Sequence, residues 1–264
     1  MTHIFRSAKS GINWASQELE AYNITVQHQA AQKFFGSEPT QLPQIDPKFV
    51  TGTVDSKRLS DTSFRLLLYL SLASCANTGQ KSALHDFSCE ILRLVGFEER
   101  GTLLRSHYGI PLVIGGETRL ARTNICLIHP IIPILLVLQE DTFRFGSRDP
   151  EAQVIAGAIA AFQFNNRAHL HPRLNDFDSM TIPCITMRGT HPVFYKVPVT
   201  KALSSAVMHA AYPHKTTIVT KCRVPPLSEW SCEGMEVPAF RRVALQYYQA
   251  FKGMVKGLWQ QYLV

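Results

Sequence analysis

Carboxylate and amide side chains end an apolar run in the middle of the chain. The segment PILLVLQEDT begins at Pro133, so that a strand-like run ends in Gln139, Glu140 and Asp141. Because side chains alternate across a strand, Glu140 and Asp141 are expected to face opposite sides of a sheet. Carboxylates are preferred ligands of Mg²⁺ and Mn²⁺, and such a metal can activate water for phosphodiester hydrolysis. Glu140 is therefore the first candidate catalytic residue and metal ligand.

Three further side chains are candidates for the same site. Asn124 lies in the preceding predicted strand and converges with Glu140 if the two strands are neighbours. Glu117 ends the first predicted strand, and Glu90 lies at the edge of the apolar stripe of the helix before it. We expect Asn124 to be a weak second metal ligand, and Asp141 or Glu117 to be a further ligand if a bulge in the strand turns its side chain inward. Glu90 would be an outer acid. In the alternative interpretation, the acids are a solvated strand end and an ordinary helix surface.

The segments that would position these residues alternate between helical and strand-like patterns. Apolar spacing and turn residues predict strands at 110–116, 123–129, 133–140, 182–188 and 192–199, and a closing helix over 238–264. This order predicts an α/β sandwich with a mixed sheet. We assign 1–80 to an N-terminal helical extension and linker, 81–235 to the α/β core, and 236–264 to a C-terminal helix packed on the core.

Capping residues mark three further helices. Asp61 or Thr62 is expected to cap a helix through Ala76 whose apolar side carries Phe64, Leu67/Leu68 and Ser71/Leu72. Asp86 is expected to cap the helix FSCEILRLV. The clearest predicted helix start is Asp149-Pro150-Glu151, in which Asp would cap the helix and Pro suits the first helical position.

Composition and charge exclude several classes of protein. Of 264 residues, 45% are hydrophobic and 18% charged, which is typical of a globular chain. The longest apolar run is too short to span a bilayer, and the N-terminus lacks a secretory signal. Six scattered cysteines without C-x-x-C spacing favour a reduced, intracellular protein, either cytoplasmic or nuclear. Motifs of serine hydrolases, zinc proteases, nucleotide triphosphatases and dinucleotide-binding proteins do not occur.

The net charge of +7 is concentrated in the last third of the chain. Residues 171–264 hold 11 Lys/Arg against 5 Asp/Glu, which is +6 of the total. Lys215, Lys221 and Arg223 interleave with Tyr212 and would suit a phosphate-bearing partner such as nucleic acid. Scattered surface charge is an equal alternative. His169 and His171 alternate in a polar loop, where solvated histidines are more common than metal ligands.

The order of helix, hairpin, acidic strand and helix resembles the PD-(D/E)XK phosphodiesterase superfamily. The extended match is to a group of uncharacterised basidiomycete fungal proteins of that type. It runs through segments that include HDFSCEILRLVGFE, IPLVIGGE, TNICLIH, ILLVLQED and DPEAQVIAGAIAAFQ. The resemblance implies a PD-(D/E)XK-like sandwich, a nucleic-acid substrate and Mg²⁺ or Mn²⁺ in the active site.

The motif of that superfamily is degenerate in this chain. Asn124 stands where the superfamily has Asp, and Thr142 stands where it has the Lys that follows the strand acid. Arg144 is four residues after Glu140, so in a continued strand its side chain would lie on the same face. It could act there as a phosphate clamp in place of Lys. We therefore expect metal-dependent nuclease activity to be impaired or lost. The alternatives are a non-catalytic nucleic-acid-binding module and a protein-interaction module on the same fold.

Overall fold

In a computed structural model that describes residues 7–75, 81–141, 149–167, 176–226 and 234–262, the chain builds one seven-stranded sheet. Its strands are β1 (Ile24–His28), β2 (Leu103–Ile114), β3 (Glu117–Ile128), β4 (Leu136–Asp141), β5 (Ser179–Arg188), β6 (His191–Thr200) and β7 (Thr217–Arg223). Their order in the sheet is β1-β7-β6-β5-β4-β3-β2. The β1–β7 and β4–β5 pairs are parallel and the others antiparallel, so the predicted mixed sheet is confirmed.

The helices surround this sheet. They are α1 (Ser16–Ala21), α2 (Ala31–Phe35), α3 (Pro47–Thr51), α4 (Asp61–Ser74), α5 (Lys81–Val95), α6 (Pro150–Arg167), α7 (Lys201–Met208) and α8 (Pro238–Gln260), with a 3₁₀ turn at Gly11–Asn13. None of the helices in the described ranges is long and apolar enough to cross a membrane.

Two helical layers cover the two faces of the sheet. On one face α6 packs so closely on β4 that a Cβ at Gly157 would lie 2.9 Å from Val137 Cγ1. On the other face Tyr248 of α8 donates a hydrogen bond of 3.1 Å to the Met187 sulfur of β5. Because both faces are covered, the side chains at 136–138 of β4 are fully buried. The core of the molecule therefore lies on both sides of β4 and β5.

The central α/β unit follows the predicted order of elements. The helix α5 is followed by the antiparallel strands β2, β3 and β4, then by α6, then by β5 parallel to β4. Asp149 caps α6 as predicted, since its Oδ1 accepts hydrogen bonds from the backbone N–H groups of Glu151 and Ala152, both at 3.1 Å. The predicted C-terminal helix is also present as α8.

Residues 1–80, which we expected to form a helical extension and linker, also supply a strand of the sheet. The segment β1 pairs in parallel with β7 at the edge of the sheet, in the register Ile24 to Thr217. The N-terminal third is thereby joined to the last third of the chain.

Two expectations about helices were wrong. Ser60, not Asp61 or Thr62, caps α4 by accepting from the Ser63 N–H. Asp86 does not cap α5, since α5 already extends from Lys81 and contains Asp86 in its second turn. The early start of α5 places His85 inside the helix, one turn before Cys89.

Candidate functional site

Asn124 and Glu140 lie side by side on neighbouring strands, as the strand order predicted. The β3–β4 register ends at the pair Ile125 and Leu138. One step further, the Asn124 side-chain Oδ1 accepts a hydrogen bond of 2.9 Å from the Glu140 backbone N–H. The amide of Asn124 therefore extends the ladder between the two strands, and its oxygen is engaged by the protein backbone.

The Glu140 carboxylate faces α5 and forms an ion pair with a histidine. Its Oε1 lies 3.3 Å from His85 Nδ1, and the Glu140 side chain is only 4% exposed. The two atoms are close but are not aligned as a regular hydrogen bond. Contacts with Cys89 and then Glu140 raise the pKa of His85 from 6.5 to about 10, although burial opposes this shift. The imidazole is therefore held positively charged at neutral pH, which balances the buried carboxylate.

The other edge of the imidazole meets a thiol and a hydroxyl. His85 Nε2 lies 3.0 Å from Ser106 Oγ and 3.6 Å from Cys89 Sγ, and the two latter atoms are 3.8 Å apart. His85 and Cys89 are four residues apart on α5 and so lie on one face of the helix. We call Glu140, His85, Cys89 and Ser106 the His85 cluster. It joins α5, β2 and β4 beneath one face of the sheet.

An irregular residue covers the His85 cluster. In the β2–β3 hairpin, Ser106 pairs with Ile125 and Tyr108 with Thr123, whereas His107, between them and opposite Asn124, is not paired in the ladder. His107 has a φ of +49°, in the left-handed region that is unfavourable for most side chains but is visited by His. Its exposed ring stacks on His85, with the ring centroids 4.5 Å apart and the planes 20° from parallel. Strained backbone of this kind is often found at functional sites.

The other expected site residues lie elsewhere or are engaged in other contacts. Glu90 pairs with Arg65 at 3.4 Å and with Arg93 at 2.9 Å on the outer surface of α5. Glu117 pairs with Arg119 at the hairpin end of β3, seven residues before Asn124, which is about 23 Å along a strand. Asp141 ends β4 with its backbone opposite Arg188.

Several residues named from the sequence lie outside the described part of the chain. These are Thr142, Arg144, His169 and His171. Gln153 is described and buried on α6, where its Nε2 donates a hydrogen bond of 2.9 Å to the Ile12 carbonyl. Gln153 thus ties the N-terminal segment to α6 on the face of the sheet opposite the His85 cluster.

The described residues do not fit a divalent metal centre. A hard cation needs several free oxygen ligands, but the Asn124 oxygen accepts from the backbone and Glu140 is paired with the His85 cation. Within the described ranges, no three His, Cys, Asp or Glu side chains meet in an arrangement that could hold a metal ion. We therefore derive no metal-dependent step at this site.

A second feature lies on the other face, at the start of α6. A cavity of about 450 Å³ opens between α6, β5, β6 and β7, and we call it the basic cavity. Its ionisable lining residues are Arg188, His191, Lys221, Arg223 and Glu151. Lys221 Nζ lies 2.6 Å from the Glu151 carboxylate, which also accepts a hydrogen bond of 3.1 Å from the Tyr195 hydroxyl.

The sequence identified only part of this cavity. Lys221 and Arg223 line it as neighbours on β7, and Arg188 and Glu151 join them from β5 and α6. Lys215 and Tyr212, which we grouped with them, line a different groove of about 670 Å³ beside α7. The predicted basic patch is therefore divided between two concave surfaces at opposite ends of β7.

The chain matches no protein-family model, and a search of curated proteins finds no significant match.

The His85 cluster was not predicted, because the candidate site was built from acidic side chains and their neighbours on the strands. The spacing His85-x-x-x-Cys89 was the available signal, since residues four apart share one helix face. Ser106 and His107 carried no comparable pattern. Their approach to His85 depends on the packing of α5 against the β2–β3 hairpin, which is a tertiary contact.

Proposed function

We propose that this chain is a PD-(D/E)XK-like protein that binds nucleic acid without metal-dependent cleavage. The order of α5, β2, β3, β4, α6 and β5 supports the superfamily assignment. The positions of Asn124 and Glu140 on adjacent strands support it too. A function cannot be taken from the fold alone, however, so the proposal rests on the site.

One observation supports the proposed loss of metal-dependent cleavage. The buried Glu140 carboxylate lies 3.3 Å from the charged His85 imidazole. A cation is therefore already present where the superfamily would place a metal, and it is part of the protein. Substitution of Asp by Asn at 124 removes a further negative charge that a metal would require.

The basic cavity supports the nucleic-acid part of the proposal. Three Arg or Lys side chains and one His line it against a single acid, Glu151. That acid, Glu151, is already paired with Lys221 at 2.6 Å. Arg223 and Arg188 are exposed at its mouth, and guanidinium groups bind phosphate oxygens in bidentate geometry.

The binding of labelled DNA and RNA oligonucleotides, measured by fluorescence anisotropy in EDTA across a salt series, tests this proposal. We expect log K to fall with log salt by about 0.7–0.9 for each phosphate neutralised. Arg223→Gln should weaken binding and reduce that slope by roughly 1. The matched control is Lys57→Gln, which removes one exposed positive charge far along the chain from the cavity residues.

Two results would count against the proposal. Binding that is undetectable at low salt would remove the nucleic-acid role. Equal losses in Arg223→Gln and Lys57→Gln would mean that binding follows net charge and that the basic cavity is not the binding surface.

A further inference from the structure

The His85 cluster has the arrangement of a nucleophile, a base and an orienting acid. Cys89 Sγ is within 3.6 Å of His85 Nε2, and His85 Nδ1 is 3.3 Å from Glu140 Oε1. A nucleophile in reach of a base that is itself held by a third group is the general signature of covalent catalysis. Here the buried Glu140 orients the imidazole so that Nε2 points at the thiol.

We propose that Cys89 is a reactive thiol that takes carbon electrophiles, with His85 as its proton acceptor and Glu140 as the positioning residue. This inference is independent of the proposed nucleic-acid binding. In the resting cluster the proton of the Cys89 thiol already resides on His85 Nε2, and in the reaction the thiolate sulfur forms a bond to the electrophilic carbon. The bond between that carbon and its leaving group breaks, and the leaving group departs with the electron pair.

The charge state of the cluster favours this chemistry. The imidazole lies between the Glu140 carboxylate, 3.3 Å from Nδ1, and the Cys89 sulfur, 3.6 Å from Nε2, so acidic groups on both sides stabilise its protonated form. An imidazolium next to sulfur stabilises the thiolate, which is the nucleophilic form of cysteine. Ser106 Oγ, at 3.8 Å from the sulfur, can donate a further hydrogen bond to it.

Other described cysteines lack such surroundings. Burial raises the pKa of Cys126 to about 12 and that of Cys222 to about 11, and Cys184 is shifted upward as well. These three thiols are therefore held in the unreactive protonated form. Cys75 is exposed at the end of α4 and provides an internal reference.

Access to Cys89 is through the surface formed by Ser106 and His107. Cys89 itself is 6% exposed, but both of these neighbours on β2 are exposed. The opening is small, so small electrophiles should react with Cys89 faster than large ones. The stacked ring of His107 lies next to the entrance.

The test is alkylation of the full chain by iodoacetamide at neutral pH, with the rate at each cysteine followed by mass spectrometry. An ordinary thiol is only a few per cent ionised at neutral pH, so an ion-paired Cys89 should react roughly ten-fold faster than Cys75. The same mixture unfolded in urea should give nearly equal rates. His85→Gln should remove the advantage of Cys89 and leave the rate at Cys75 unchanged.

Folding is monitored in the same experiment. Cys184 is fully buried, so its alkylation in a variant would reveal unfolding. If His85→Gln is unfolded by this criterion, Glu140→Gln takes its place and should lower the Cys89 rate. A wild-type rate at Cys89 no higher than that at Cys75 overturns the proposal, whatever the variants do. A Cys89 rate that is high but unaffected in a folded His85→Gln protein overturns it too.

Discussion

At the scale of single residues, the neighbours of Glu140 decide what the site can do. Glu140 and Asn124 were predicted to converge, because side chains on adjacent antiparallel strands meet when the register allows it. Their partners were not predictable in the same way. His85 is close to Glu140 only because α5 packs over the end of β4, and no local pattern near Glu140 indicates a histidine from so early in the chain.

We expect His85→Ala to destabilise the protein strongly. It leaves the Glu140 carboxylate buried without a cation, and breaking a buried pair in this way typically costs about 3–5 kcal/mol. The control is Arg65→Ala, which removes an exposed partner of Glu90 and should cost at most about 1 kcal/mol. Urea unfolding of both variants measures these costs, and equal losses would contradict the described ion pair.

The same pair predicts a pH dependence of stability. The pKa of His85 is raised from 6.5 to about 10 in the folded protein, so folding favours the charged imidazole. This contribution is present in full below about pH 6.5 and is lost as pH rises through about 10. The urea midpoint should therefore fall more steeply over this interval in the wild type than in His85→Gln. Parallel pH profiles of the two proteins would show that His85 is not the group responsible.

At the scale of elements, strands were predicted better than helix faces. The run of apolar residues in β4 has a single interpretation, a strand buried on both faces. The apolar side of α4 was assigned wrongly, because leucines occur all around that helix. The structure buries Leu66, Leu67 and Leu70, whereas Phe64, Leu68 and Leu72 are 45%, 41% and 43% exposed.

The close packing of helix α6 on β4 depends on a glycine. A Cβ at Gly157 would lie 2.9 Å from Val137 Cγ1, so Gly157→Ala should force α6 away from β4 and destabilise the protein by about 1–3 kcal/mol. Gly253, in the exposed part of α8, has no such neighbour, and Gly253→Ala should stabilise by about 0.5–1 kcal/mol. Opposite signs in thermal or urea unfolding are the expected result. A destabilising Gly253→Ala, or a neutral Gly157→Ala, would contradict this packing.

At the scale of the whole molecule, two of the long-range connections between the N-terminal third and the rest show what the sequence could not reveal. The parallel pairing of β1 with β7 is one of them. The second is Arg241 of α8, which is buried and donates hydrogen bonds to the Val50 and Gly52 carbonyls. Neither connection could be predicted from the sequence. A parallel pairing of distant segments produces no periodic pattern of residues, and neither does a buried arginine.

We expect the second connection to be energetically important. Arg241→Ala leaves two carbonyls without their donor and removes the guanidinium from the face of the Phe49 ring, 5.3 Å away. Each unsatisfied buried group costs about 1–3 kcal/mol, so a total of about 2–6 kcal/mol is expected. The adjacent Arg242 is exposed, and Arg242→Ala should change stability by less than about 0.5 kcal/mol. Chemical unfolding of the two variants distinguishes these outcomes, and a small effect at Arg241 would argue against the connection.

We propose that an internal cation, His85, has taken the place of a catalytic metal beside Glu140. The most direct measurement is cleavage of mixed DNA and RNA substrates in Mn²⁺ by the wild type and Glu140→Ala, side by side, with an active nuclease as assay control. Our account predicts no cleavage by the wild type above the level of Glu140→Ala. Cleavage that requires Mn²⁺ and disappears in Glu140→Ala would contradict it, and would show that Glu140 still acts as a metal ligand.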